Sequence, residues 1–170
     1  LLYGSDALGG VIYFNPAKFA QANTFEASIN QNYFSNTEGT STFFEAKKSF
    51  NSWKFSANGS RNEHSDYKTA DGYRVSNTRF NETNFNTAIG FNNELISSSL
   101  RFIFNHSNIG LPEEIEEQST SKTMETPYQD LTTKMLSFNN SIFLGNSKIT
   151  AIGGYSMNQR KEFEGHHHHE

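Results

Sequence analysis

The sequence predicts an all-β fold, built as an antiparallel meander of about seven long strands. Apolar and polar residues alternate with a period of two along most of the chain. Short stretches rich in Asn, Ser and Gly, which favour turns, separate the alternating segments. Asn, Ser and Thr are also frequent within the segments, and they disfavour helix interiors because their side chains compete for backbone hydrogen bonds.

The alternation defines each strand in order along the chain. In the third segment the odd-numbered residues from Trp53 to Gly59 fall on one face and polar residues fall on the other. The fifth and sixth segments repeat this pattern, whereas Ile152 interrupts it in the seventh. The predicted strands cover residues 22–34, 40–50, 53–63, 81–91, 95–106, 131–144 and 147–160. All are longer than the ~5–6 residues typical of a soluble sheet.

Short and long connections alternate between these strands. Tight hairpins are predicted at 51–52, 92–94 and 145–146, and longer connections at 35–39, 65–80 and 107–130. Outer-membrane barrels have short turns at one end and longer loops at the other, and their tilted strands need about 9–11 residues to cross a bilayer. The pattern therefore favours a partial transmembrane β-barrel over a soluble β meander. Its aromatic face would meet lipid and its polar face would line a hydrated lumen.

The composition excludes several other classes of protein. Aromatic residues make up 14% of the chain and the net charge is only −4, whereas disordered chains have few aromatics and high net charge. Cysteine is absent, so a disulfide framework and a thiolate zinc site are excluded. The charge balance gives no basic surface for nucleic acid. A barrel wall needs apolar residues only at alternate positions, which is consistent with the mean hydropathy of −0.69.

The number of strands predicts that this chain is a fragment of a larger barrel. Single-chain bacterial barrels have even strand numbers from about 8 upward. An open sheet edge in lipid would leave backbone groups unpaired, so seven strands need further strands or a partner. The chain begins Leu1-Leu2-Tyr3, without Met and without a secretion signal, which also fits a fragment.

A glycine-rich element precedes the meander. The stretch YGSDALGGVIYF, residues 3–14, lacks the glycine spacing of a nucleotide-binding loop and leads into a strand rather than a helix. It resembles the closing segment of the plug domain of TonB-dependent outer-membrane receptors, where a G-S-D-A-x-G-G-V-I sequence precedes the first barrel strand. The matching residues are Gly4, Ser5, Asp6, Ala7, Gly9, Gly10, Val11 and Ile12.

Later segments extend the resemblance more loosely. DYKTADGYRVSNTRFNETNF and RFIFNHSNIGLPEE are similar to the early barrel of such receptors from Bacteroidetes-type bacteria. The resemblance implies a ~22-stranded barrel occluded by a plug. Such a receptor imports scarce nutrients such as ferric siderophores, haem or cobalamin across the outer membrane, driven by the TonB complex acting through a plug region that this chain lacks. It also implies that residues 1–16 end the plug, 17–22 form a linker and 23–170 begin the barrel.

The predicted long loops contain candidate ligand contacts. His64, Asp66 and Tyr67 lie at the second long connection, and an acidic cluster lies in the third. The acidic residues are Glu113, Glu114, Glu116 and Glu117. Such a cluster attracts cationic ligands or divalent ions. The alternative for both sets is a solvated rim whose side chains make only local hydrogen bonds.

A histidine run near the end of the sequence is a candidate metal site. The run comprises His166, His167, His168 and His169 and lies between Glu164 and Glu170. Imidazoles and carboxylates bind divalent zinc, copper, nickel or iron. The alternative is a purification tag, and the sequence leaves both open. No other cofactor is expected.

The remaining charged residues do not predict catalysis. No nucleophile, base and oxyanion-stabilising group are combined in the sequence, so we expect no enzyme. Lys54 and Arg101 fall on the polar face, where they are expected to pair with the plug or with Glu26 and Glu45. A secreted or surface β-rich adhesion or structural protein, without transport activity, is the alternative function.

Overall fold

The computed structural model describes residues 16–112 and 118–164. These residues form one antiparallel sheet in which each strand pairs with the next along the chain. The seven strands are β1 (Phe25–Phe34), β2 (Gly39–Ser49), β3 (Trp53–His64), β4 (Phe80–Asn92), β5 (Ile96–Gly110), β6 (Tyr128–Leu144) and β7 (Ser147–Phe163). β1 and β7 are free edges, so the described sheet is not closed. Within the described ranges, no helix is long and apolar enough to cross a membrane.

All seven predicted strands and the three tight hairpins are confirmed. β5, β6 and β7 extend three or four residues further than predicted at the end away from the hairpins. The extensions consist largely of polar residues on both faces, such as Asn108 paired with Asp130, which hide the alternation in the sequence. The first connection is shorter than predicted: it has four residues, 35–38, and turns tightly at Glu38, where φ is 47°.

The strand register sorts the side chains onto two faces. Cross-strand partners lie on the same face of a sheet, so pairs such as Trp53 with Phe91 and Leu100 with Phe138 continue one apolar face from strand to strand. The apolar face carries Ile29, Phe44, Phe55, Phe85, Ile89, Phe102, Phe104, Leu136, Ile142, Ile149 and Tyr155 as well. The polar face carries Asn, Ser and charged side chains with a few apolar ones among them, including Ile152.

The polar face is held together by side-chain hydrogen bonds between neighbouring strands. Asn86 donates to Asn58 at 2.8 Å, and Asn105 donates to Asn84 at 2.7 Å. Asn84 donates in turn to Ser60 at 3.1 Å. Amide side chains therefore satisfy one another across β3, β4 and β5.

Nothing in the described ranges covers the apolar face. Among all residues of the described ranges, Ala20 and Ala88 are the only buried apolar ones. Ile29 is 78% exposed and Tyr155 67% exposed, although both belong to the apolar face. A sheet with one apolar face normally buries that face against a second layer. The described residues form a single layer, and none of them covers this face.

The segment before β1 lies on the polar face at the hairpin end. The Ser49 hydroxyl donates to the carbonyl oxygen of Ala20 at 2.9 Å. The Phe19 ring contacts the backbone at Gly90, where an added Cβ would lie 2.9 Å from the ring. The Arg101 guanidinium lies 5.0 Å from the centre of the same ring. Residues 16–22 are thus attached to the strands they precede.

Candidate functional site

Three connections meet at the end of the sheet opposite the hairpins. They are the turn 35–38, the loop 65–79 and the loop 111–127, whose residues 113–117 lie outside the described ranges. Charged residues from all three form what we call the loop-end cluster. Its members are Glu38, Asp66, Arg74, Arg79 and Glu125.

Arg79 and Asp66 form the centre of the loop-end cluster. Nη2 of Arg79 lies 2.7 Å from Oδ2 of Asp66, and Nε lies 3.2 Å from Oδ1, so the pair is bidentate. Both residues are only 1% exposed. Oδ1 of Asp66 also accepts the backbone N–H groups of Thr78 at 2.8 Å and Arg79 at 2.9 Å. The hydrogen bonds that Arg79 donates to Asp66 raise the pKa of Arg79, so its guanidinium stays protonated.

Arg79 also joins the second loop to the third. Its Nη1 donates to Oε1 of Glu125 at 2.8 Å and to the carbonyl oxygen of Thr123 at 3.1 Å. Glu125 is partly exposed whereas Arg79 is buried. One guanidinium therefore fixes the relative position of two loops that are separated along the chain.

Arg74 joins the second loop to the first turn. Its Nη2 lies 2.7 Å from Oε1 of Glu38, and its Nη1 donates to the carbonyl oxygens of Asn36 and Asp66. The Arg74 N–H donates a hydrogen bond to Oε1 of Gln118 at 2.7 Å, and Nε2 of Gln118 donates to the Arg74 carbonyl oxygen at 2.9 Å. The three connections therefore form one hydrogen-bonded unit.

Asn77 fixes the return of the second loop into β4. Its φ is 54°, in the left-handed region, and its Nδ2 donates to the carbonyl oxygens of Leu111 at 3.1 Å and Pro127 at 2.7 Å. Gly110 lies directly against it: an added Cβ would come within 2.5 Å of the Asn77 carbonyl oxygen. This close approach requires glycine at position 110.

His64 ends β3 inside a small aromatic stack. Its ring is stacked on Phe80 with centroids 4.6 Å apart and lies 5.1 Å from Phe34. Nδ1 is 2.7 Å from the Thr37 hydroxyl. Burial, with a smaller contribution from Lys122, lowers the pKa of His64. The imidazole is therefore held neutral against the first turn.

The tip of the second loop is a small hairpin. The Val75 N–H donates to the carbonyl oxygen of Tyr67 at 3.0 Å, and the Thr69 N–H donates to that of Tyr73 at 2.8 Å. Gly72 turns the chain with φ of 88°. Tyr67 is 45% exposed and Tyr73 38% exposed. Two aromatic rings are thereby presented on a loop that buried arginines hold in place.

The three predicted ligand contacts of the second loop, His64, Asp66 and Tyr67, have different environments in the structure. Asp66 uses both carboxylate oxygens for Arg79 and the backbone, and His64 is enclosed by Phe34 and Phe80. Tyr67 is the one of the three whose side chain is open to solvent. Their role as ligand contacts stays a prediction. Sequence analysis did not identify Arg74 or Arg79 as site residues, because only the folded loops bring their partners together.

The other predicted site residues lie outside the described ranges. These are Gly4, Ser5, Asp6, Ala7, Gly9, Gly10, Val11 and Ile12, the acidic residues Glu113, Glu114, Glu116 and Glu117, and the run His166, His167, His168 and His169. Within 16–112 and 118–164, no group of three or more His, Asp or Glu residues could hold a metal ion.

Among the described residues, neither Lys54 nor Arg101 forms the predicted ion pair with Glu26 or Glu45. Arg101 contacts Phe19 in the segment that precedes the strands. Glu45 pairs instead with Lys47, on its own strand, at 2.8 Å.

Comparison with known proteins adds no further constraint. No family model, no curated protein and no solved structure matches this chain.

Proposed function

We propose that this chain belongs to a TonB-dependent outer-membrane receptor that imports a scarce nutrient, such as a ferric siderophore, across the outer membrane. It would supply the end of the plug and the first strands of the barrel. The observation that carries the proposal is the continuous, uncovered apolar face of a single-layer sheet. A lipid bilayer covers such a face without a second protein layer.

The extent of the apolar face fits a bilayer. On this face apolar residues extend from Ile96 to Phe104 on β5 and from Leu144 to Leu136 on β6, interrupted once on each strand, by Ser98 and Asn140. Polar residues such as His106 and Asp130 follow. Nine residues extend about 27 Å along a strand. A tilt of ~40° reduces this to roughly 21 Å along the membrane normal, close to the ~25 Å apolar band of outer-membrane barrels.

The two free edges support membership of a larger barrel. β1 has ten residues and β7 has seventeen, and every residue of both is exposed. Long apolar edges with unpaired N–H and C=O groups promote aggregation in water and are not tolerated in lipid. Additional strands pairing with β1 and β7 would remove both edges.

The segment 16–22 supports a receptor with a plug. It reaches β1 along the polar face, where Phe19 packs against Gly90 and beneath Arg101. In the proposed barrel the polar face lines the lumen, so the preceding residues would enter from the lumen. This direction agrees with the resemblance of residues 3–14 to the end of a plug.

The loop-end cluster supports ligand capture at the outer surface. Tyr67 and Tyr73 are exposed on a loop that Arg74 and Arg79 hold in a defined shape. Aromatic side chains on a preorganised loop bind bulky ligands at a low cost in conformational entropy. Capture at this end would be followed by displacement of the plug when the TonB complex pulls on it.

Two experiments on the full-length protein test the proposal. Expressed in an outer membrane, it should be extracted only by detergent, and its electrophoretic mobility should change on heating, as expected for a barrel. A deletion strain should then lose growth on one source among ferric siderophores, haem and cobalamin, and regain it on complementation. A protein that is folded and soluble without detergent would instead indicate the secreted or surface β-rich protein.

A further inference from the structure

A row of short side chains crosses the apolar face near the hairpin end. Ser98 on β5, Asn140 on β6 and Ala151 on β7 are successive cross-strand partners. Longer side chains border this row on both sides: Leu100 and Phe138 on one, and Ile96, Ile142 and Ile149 on the other. Trp53 and Phe91, with ring centroids 5.0 Å apart, close its end. An open groove of about 430 Å³ lies between Trp53 and Phe91 at one end and Phe138 and Asn140 at the other, with Ile96, Ser98 and Leu100 along it.

The groove contains hydrogen-bond donors that have no acceptor. The Ser98 hydroxyl donates to Oδ1 of Asn140, which leaves the Asn140 Nδ2 group free. Among the described residues, neither this group nor the Trp53 indole N–H has a hydrogen-bond partner. An amide donor that faces hydrocarbon without an acceptor is energetically unfavourable. A ligand that fits must therefore be mainly apolar and must supply oxygen acceptors.

We infer that the groove binds one glycerophospholipid molecule. An acyl chain would lie between the two apolar rows, and an ester carbonyl oxygen would accept a hydrogen bond from Asn140 Nδ2. The phosphate or second ester would lie towards Trp53, whose ring carries the other free donor. This inference rests on the proposed function, because it requires the apolar face to be in a bilayer.

The depth of the groove favours a phospholipid over a lipopolysaccharide. Ser98 lies two residues from the start of β5, roughly 7 Å along the strand. This places the polar pair near the boundary of the apolar band, where ester groups lie and where Trp is enriched. In the proposed barrel the hairpins are on the periplasmic side, and the leaflet on that side consists of phospholipid.

Native mass spectrometry of the full-length protein tests the inference. The protein is purified in detergent, stripped of lipid and titrated with phosphatidylethanolamine of defined chain length. We expect one tightly retained lipid per protein. Asn140→Leu should weaken binding about 2- to 10-fold through loss of one hydrogen bond, and Ser98→Phe should abolish it by filling the groove. Asn139→Leu is the matched control because Asn139 is the neighbouring asparagine on the opposite face, and it should bind as the wild type does.

The outcomes separate this inference from the proposed function. A heat-modifiable barrel that retains no stoichiometric phospholipid, or one in which Asn140→Leu binds as tightly as the wild type, would overturn the lipid site alone. Equal retention of detergent and phospholipid would overturn it too. A protein that needs no detergent would overturn both the lipid site and the proposed receptor.

Discussion

Arg79 and Asp66 are joined by a bidentate ion pair in which both residues are 1% exposed, at the end of the sheet opposite the hairpins. Removing one partner would leave a buried charge unpaired, which typically costs about 3–5 kcal/mol. The structural consequence extends beyond the pair, because the same guanidinium binds Glu125 in the third loop.

Asp66→Ala should therefore release the loop 65–79 and destabilise the protein. In the full-length protein we expect faster proteolysis within this loop and faster amide exchange at Thr78 and Arg79, whose N–H groups Asp66 accepts. Asp71→Ala is the control, since Asp71 is an exposed acid of the same loop. Equal protection of the loop in the two variants would contradict the role assigned to Asp66.

Gly110→Ala should disturb the packing between β5 and the second loop. Its Cβ would lie 2.5 Å from a backbone oxygen of Asn77, which cannot move aside as a flexible side chain could. Overpacking of this kind costs about 1–3 kcal/mol, measurable as a lower midpoint temperature of heat-induced unfolding. Gly153→Ala should have a much smaller effect, because nothing lies within 4 Å of a Cβ at that position.

Acidification should weaken the contact between His64 and the first turn. Burial lowers the pKa of His64 in the folded protein, so the unfolded chain takes up a proton first as the pH falls below ~6.5. The contribution of His64 to stability is complete above that pH and decreases towards pH 5. Unfolding midpoints measured at pH 7.5 and 5.5 should differ more in the wild type than in His64→Gln. Identical pH dependence in both would contradict this account.

Phe19→Ala should detach residues 16–22 from the polar face. The variant loses the packing on Gly90 and the cation–π contact with Arg101, which is worth about 0.5–1 kcal/mol at a partly exposed site. Hydrogen exchange should accelerate in 16–22 while β3 and β4 stay protected. Phe50→Ala, at an exposed aromatic residue in a hairpin turn, should leave exchange in 16–22 unchanged.

Tyr67→Ser and Tyr73→Ser should weaken nutrient capture in the proposed receptor. Loss of one anchoring aromatic residue costs about 1–2 kcal/mol of binding, so the apparent affinity for uptake should fall about 5- to 30-fold without a change in the amount of folded protein. Tyr155→Ser, on the apolar face away from the loops, is the matched control. Uptake unaffected by both loop variants would exclude this hairpin from ligand binding.

The period-two pattern was sufficient to predict the strands because a strand's two faces are encoded by consecutive residues. The pattern underestimated the lengths of β5, β6 and β7 at the loop end, where both faces of the sheet are polar. It also predicted a connection of five residues at 35–39, whereas the turn has four residues, 35–38. The pattern also predicted correctly that Lys54 and Arg101 share a face.

The seven strands, their meander order and the separation of an apolar from a polar face follow from the local residue pattern, since each depends on neighbours along the chain. The organisation of the loop end depends instead on contacts between distant segments in the folded protein. Arg74 meets Glu38 across 36 positions, and Arg79 meets Glu125 across 46. Such contacts depend on the strand register, which brings distant loops to the same end of the sheet, and no local pattern encodes which charged side chains will then be buried together.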